Sequence, residues 1–196
     1  MFVLLGCASF AQGVQNMEII LLVGGATSSG SVVQGTNASI SGSAGFAMQT
    51  NWGYQLASTK AGNLWLETPI TYTFEGTGIV TGTTVASINR NGWFFTPGLR
   101  LKTPTYGRVS IYGAVGGGVG SLGTTTSVVS GANGTVMVNS TVQYHPLFDF
   151  AGGIDLRLSR RLSLRAEGRD FVSAANLGGV AGHNHPVFLA GLVFHF

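Results

Sequence analysis

The sequence predicts an all-β chain: an eight-stranded antiparallel up-and-down transmembrane β-barrel. Three observations carry that expectation. From Glu18 to Phe196 apolar and polar side chains alternate with a period of two, the repeat of a strand. Charged residues are only 9% of the 196-residue chain, against about 25% in a soluble globular domain. The few charges also gather on one side of the alternation. Glycine supplies 31 residues while the hydrophobic share is an ordinary 44%, so the chain is short of charge rather than greasy. A soluble domain with so little charge would lack a dispersing surface. A disordered chain would not hold 10% aromatics. A helical membrane protein needs runs of about 20 apolar residues. The charge-free stretches Ile19 to Thr59 and Val109 to Phe148 are instead broken throughout by Ser, Thr, Gly and Asn.

Residues 1–16 are expected to be a signal peptide and lead-in, and residues 17–196 the barrel. Phe2-Val3-Leu4-Leu5-Gly6-Cys7-Ala8 is a short apolar run, followed by the small-x-small pattern Ser9-Phe10-Ala11. That is a secretory signal without its basic n-region, and cleavage there starts the mature chain near Gln12. Two other readings compete: a lipobox, Leu4-Leu5-Gly6-Cys7, with a lipid-modified Cys7, and a buried N-terminal strand. Cys7 is the one cysteine, which excludes an intrachain disulfide and a CxxC metal site.

The eight strands follow in order. Ile19 to Thr27 opens the series, and Ser39 to Gln49 sets Ile40, Phe46 and Met48 against Ser41, Ser43 and Gln49. Leu64, Leu66, Ile70, Tyr72 and Phe74 oppose Trp65, Glu67, Thr71 and Thr73; Trp93, Phe95, Leu99 and Leu101 oppose Phe94, Thr96, Arg100 and Lys102. Val109, Ile111, Val115 and Val119 oppose Arg108, Ser110, Tyr112 and a row of glycines. Val142, Tyr144, Phe148, Phe150, Ile154 and Leu156 oppose Gln143, His145, Asp149, Asp155 and Arg157. Leu162, Leu164 and Ala166 oppose Ser163, Arg165, Glu167 and Arg169, and Phe188 to Phe196 closes the series. Short turns at Thr59 to Asn63, Thr103 to Tyr106 and Ser159 to Arg161 alternate with long loops. These are expected near Ser28 to Asn37, Glu75 to Ser87, Leu122 to Ser140 and Val172 to His185. Short and long connections alternate in membrane barrels, with short turns on the periplasmic side and long loops outside.

The charges decide which face is inside. Glu67, Arg100, Lys102, Arg108, Asp149, Asp155, Arg157, Arg165, Glu167 and Arg169 share the polar face. They are six cations and four anions, suited to mutual pairing in a lumen. A charge facing lipid at mid-bilayer costs about 2–4 kcal/mol, so this face turns inward. Trp93, Tyr72, Tyr144 and Phe196 fall toward strand ends on the apolar face, as interfacial aromatics do.

The last ten residues alternate strictly and end on phenylalanine. Phe188, Leu192, Phe194 and Phe196 resemble the C-terminal assembly signal of bacterial outer-membrane β-barrel proteins. Over Glu18 to Phe196 the chain resembles the small eight-stranded family of the OmpA-barrel and OmpX kind. The resemblance implies an outer-membrane location with extracellular loops and periplasmic termini. It also implies contact with outer-membrane lipid and recognition by the barrel-assembly machinery. A peptidoglycan-binding domain of the full-length OmpA kind is not expected after the barrel, so the resemblance does not imply cell-wall tethering.

No catalytic, cofactor or metal site is expected, and without a basic patch interleaved with aromatics nucleic acid is no expected partner. His145, Asp149 and Ser110 share a face as a conceivable lumen triad, but one that would meet no acyl chain. His183-Asn184-His185 lacks a third ligand nearby. Gly116-Gly117-Gly118 lacks the Lys-Ser/Thr of a phosphate loop. Arg165, Glu167 and Arg169 read as a lumen salt-bridge network before they read as an ion-selecting constriction. The expected role is structural or surface-interacting through the outer loops. The alternatives are a narrow pore for small solutes and, behind it, a lipid-modifying enzyme. Ser127 to Ser130 and Thr135 to Val138 flank Gly131-Ala132-Asn133-Gly134, whose Asn-Gly is a hairpin signal. A projecting hairpin there would offer an extracellular protein ligand an edge.

Overall fold

Backbone amides cannot be left unpaired in hydrocarbon, so a spanning sheet must close on itself. The chain meets that condition with eight antiparallel strands. The structure is a computed structural model that describes residues 16–27, 31–32, 39–40, 44–80, 85–130, 135–173 and 184–196. The expected signal peptide and its cleavage site lie outside them, as does the Gly131–Gly134 turn. The strands are β1 (Met17–Thr27), β2 (Ala44–Ser58), β3 (Asn63–Val80), β4 (Val85–Phe95, resuming at Gly98–Lys102), β5 (Val109–Ser130), β6 (Thr135–Arg157), β7 (Leu162–Ser173) and β8 (Asn184–His195). Each pairs with its neighbour in sequence, and β1 pairs with β8 from Glu18↔His195 to Ala26↔Val187, which closes the barrel. Two short segments, Ser31–Val32 and Ser39–Ile40, pair with each other, and Ile40 also meets Val80 of β3.

Proline and glycine account for the local irregularities. Pro97 has no N–H to give the ladder, and β4 breaks at Thr96-Pro97. Its carbonyl is still used, by Gly117 N at 3.2 Å. Gly107 sits at φ 65° in the turn bridged by Tyr106 and Val109, a conformation that favours glycine. The Thr59 turn is closed by Thr59 N donating to the Gly62 carbonyl at 2.9 Å, while Thr59 Oγ1 accepts from Ala61 and Gly62 N.

Two expectations on strand limits need correction. The second strand is Ala44–Ser58 rather than Ser39 to Gln49, because the alternation continues through Asn51-Trp52-Gly53-Tyr54. Glu75 to Ser87 and Leu122 to Ser140 are not loops throughout. β3 runs to Val80, and β5 and β6 stay paired as far as Ser130↔Thr135. Gly, Ser and Thr make these segments read as loop, yet cross-strand hydrogen bonding needs no apolar face.

Outside, the apolar half of the alternation is exposed: Leu21, Val23, Leu101, Ile111, Val115, Phe150 and Ile154 are among the residues that face outward. Tyr72, Tyr144 and Phe196 are exposed, and Trp93 packs edge-on against Tyr144 at 6.5 Å. One end of the barrel carries both described termini and the short turns; the other carries the long connections.

Candidate functional site

Among the described residues, most of the charge of this charge-poor chain is concentrated in the lumen. Inward positions alternate with outward ones along each strand, so every second residue of β3 to β7 delivers a side chain to a narrow interior. Glu67, Arg100, Lys102, Asp149, Asp155, Arg165, Glu167 and Arg169 are all buried there. Arg165 holds Asp155 in a fork, Nε at 2.6 Å and Nη2 at 2.8 Å. Arg169 reaches three carboxylates: Asp149 through Nη1, Glu167 through Nε at 2.9 Å and Glu67 through Nη2 at 2.7 Å. Lys102 Nζ lies 2.6 Å from Asp155. Neutral groups add to the pairing. Tyr112 donates its hydroxyl to Glu167 at 2.6 Å, and Gln49 Nε2 donates to the same carboxylate at 3.0 Å. The Tyr112 ring carries the Arg165 guanidinium 4.4 Å from its centroid, a cation–π contact.

Two of the ten expected lumen charges are placed elsewhere. Arg108 is exposed in the Tyr106–Val109 turn, and Arg157 is exposed at the end of β6, donating to the Ser159 and Arg160 carbonyls. Both have the inward parity. Parity fixes a face, but not a depth, and at the mouth of a barrel the inward side already meets water.

Three lumen charges escaped the sequence argument. Glu18 is wholly buried and accepts from Arg100 Nη2, with Lys102 Nζ at 3.4 Å. β1 is apolar on both faces, Ile19 and Leu21 outward and Ile20 and Leu22 inward, so its alternation carries no signal for Glu18. Glu75 and Arg90, 3.8 Å apart and buried, lie at the long-connection end. Their signal was available: Glu75 has the parity of Glu67, and Arg90 that of Phe94.

Toward that end the lumen becomes apolar. Leu22, Ala26, Ala47, Val187 and Leu189 lie there with Phe94, Leu122, Leu147 and Phe171, and Ile20 and Val193 continue the same buried cluster back toward Glu18 and His195. Phe94 and Phe171 stack at 4.5 Å with their planes 12° apart. Glycine makes the room: a Cβ on Gly120 would lie 2.5 Å from Leu147 Cδ2 and 2.7 Å from Phe94 Cδ1. Arg100, Arg165, Arg169, Phe94, Phe171 and Leu122 are each no more than 2% exposed, so large side chains obstruct both parts of the interior.

The register separates the conceivable triad. Ser110 lies opposite Asp155, whereas His145 lies opposite Gly120. Ten positions along β5 are about 34 Å, so Ser110 cannot reach His145. Of the His183–His185 pair, His183 lies outside the described residues, and His185 is buried with its ring 6.2 Å from Phe94. Among the described residues no three His, Cys, Asp or Glu side chains group as metal ligands do. A second Ser–His–carboxylate arrangement is present instead. His195 Nε2 is 2.8 Å from Ser163 Oγ, and its Nδ1 is 3.2 Å from Glu18 Oε1.

No protein-family model matches the chain, and no curated protein matches it in sequence. Solved structures do match. OprG from Pseudomonas aeruginosa, an outer membrane protein, is 15% identical with a TM-score of 0.54, covering 94% of this chain and 99% of its own. Ail, the attachment invasion locus protein of Yersinia pestis, is 14% identical with a TM-score of 0.52, over 93% and 100%. OmpT, an outer membrane protease from Escherichia coli, is 10% identical with a TM-score of 0.52, over 92% and 97%. The fold is therefore that of the small outer-membrane β-barrels. At these identities the likeness extends to fold alone, and the three neighbours named differ in role.

Proposed function

We propose that this is an outer-membrane barrel with a closed lumen whose task is surface interaction, performed by the β5–β6 hairpin. The hairpin's length is the observation that carries the reading. A barrel strand crosses a bilayer in about 9–11 residues. β1, β7 and β8 have 11, 12 and 12 residues, one crossing each, whereas β5 and β6 have 22 and 23. The surplus is a paired ribbon, Ser121↔Tyr144 to Ser130↔Thr135, standing clear of the membrane. Among the described residues, β7 accompanies β6 as far as Ser173↔Leu147. Among the described residues, 135–142 of β6 are strand-paired with β5 alone. Such an edge takes up an extended segment of a partner protein by main-chain hydrogen bonding. In this reading the hairpin is extracellular and the termini are periplasmic. The attachment protein among the structural neighbours is in keeping with it, and the obstructed lumen speaks against a pore.

Assembly fits the same picture. Phe188, Leu192 and Phe196 are exposed on the outer face of β8 and Phe194 is half-buried; they are the residues that the barrel-assembly machinery would read. Deleting Phe196 should sharply reduce the heat-modifiable barrel recovered from membranes, and normal accumulation would overturn the signal. For the function, cells displaying the barrel are compared with cells in which residues 126–139 are replaced by an Asn-Gly turn. Attachment to an immobilised host-cell monolayer should fall while the level of folded barrel is unchanged. Equal attachment, together with discrete channels in planar bilayers, would favour the pore.

A further inference from the structure

The Ser163–His195–Glu18 chain lies at the terminus end of the lumen, apart from the hairpin and its proposed role. Neighbouring strands bring the three together: Glu18 of β1 is opposite His195 of β8, and β8 runs beside Ser163 of β7. Glu18 Oε2 accepts from Arg100 and has Arg165 at 3.7 Å, while Oε1 faces His195. A neutral imidazole that gives its Nδ1–H to a carboxylate keeps Nε2 as an acceptor, and the hydroxyl within its reach is Ser163. That is the relation of nucleophile, base and orienting acid that activates serine. The same three residues line a cavity of about 240 Å³ together with Lys102, Asn63 and Arg157. Arg157 and Thr105 in its wall are exposed, so the cavity opens at the mouth of the barrel.

We propose that Ser163, His195 and Glu18 form a serine-hydrolase relay acting on short-chain carboxylic esters that enter from the terminus end. Ser163 Oγ attacks the ester carbonyl as its proton passes to His195 Nε2. The ester C–O bond then breaks, and His195 returns the proton to the departing alcohol. Water cleaves the acyl-serine by the same route, releasing the acid and restoring the hydroxyl. Glu18 is a positioning residue: it holds the ring and its tautomer and does not touch the substrate. Lys102 supplies positive charge beside the developing oxyanion. The cavity is smaller than the roughly 300–1,000 Å³ of pockets for drug-sized ligands, which favours small esters over long-chain lipids.

The test uses the refolded full barrel, with heat-modifiable migration reporting the fold of every sample. Diisopropyl fluorophosphate should modify Ser163, with fluoride released and the adduct mapped by peptide mass spectrometry. Hydrolysis of 4-nitrophenyl acetate should stop in step with labelling and should exceed that of the octanoate ester. His195→Gln should slow labelling by about 100-fold or more, the scale of a general base. The wild-type rate should show one pH step that is absent in His195→Gln and displaced in Glu18→Gln. Ser163→Ala removes only an oxygen and should fold. If it does not, adduct mapping on the wild type still decides. A folded wild type without adduct at Ser163, or equal labelling in folded His195→Gln, would overturn the relay.

Discussion

The two parts of the lumen close the same tube by opposite means. Near the termini, Arg169, Arg165 and Lys102 each touch more than one carboxylate. Toward the long connections, Phe94, Phe171, Leu122 and Leu147 fill the section by shape. A buried ion is tolerated only when its partners and hydrogen bonds are complete, whereas a packed apolar layer asks only that volumes match. The first part should therefore be sensitive to deleting one charge, and the second to adding one atom.

The largest effect is expected from Glu167→Gln. Glu167 accepts from Arg169, Tyr112 and Gln49, and the amide leaves the Arg169 cation short of one of its carboxylates. Breaking a buried ionic set by removing one partner costs about 3–5 kcal/mol. Urea unfolding in phospholipid vesicles should show a correspondingly lower midpoint. A midpoint equal to that of the wild type would mean that the lumen network is not stabilising the barrel.

Gly120→Ala tests the other half. Its Cβ would press on Leu147 and Phe94, and overpacking of this kind costs about 1–3 kcal/mol. Gly117→Ala is the control: its Cβ would meet the Phe148 ring at 3.4 Å, an ordinary contact. The two glycines differ by three positions, so one faces the plug and the other the outside. Equal unfolding midpoints for these variants would remove the plug as a packed layer.

These two halves were not equally legible in the sequence. Charge is scarce, so each Arg or Glu on an alternating strand marks its face, and eight of the ten named residues are buried in the lumen. The inward apolar layer was harder to read, because Phe94, Val187 and Leu189 carry the same hydrophobic signal as lipid-facing residues. Where both faces are apolar, as in β1, the period of two disappears. The Ser163–His195–Glu18 relay draws on β7, β8 and β1, and closure of the barrel unites Glu18 and His195, 177 positions apart. Only the register supplies that neighbourhood, and the sequence alone points to Ser110 and His145 instead.

The smallest effect sets the scale for the others. Leu164 lies on β7 between Ser163 and Arg165, both buried, but is itself 42% exposed on the outer face. Leu164→Val removes one methylene. In a protein core, deleting a methylene leaves a cavity, and Ile→Val costs about 0.5–1.5 kcal/mol. On the outer face an acyl chain can move into the space, so the cavity contribution vanishes and the lost contact is replaced. The expected shift is therefore below about 0.5 kcal/mol, under the lower end of that range. Measured in the same vesicles, this variant and Glu167→Gln are three residues apart on one strand, yet should differ several-fold in destabilisation. If Leu164→Val proved as costly as Glu167→Gln, the outer face of β7 would be packed against protein instead of lipid, and the assignment of inside and outside on that strand would fail.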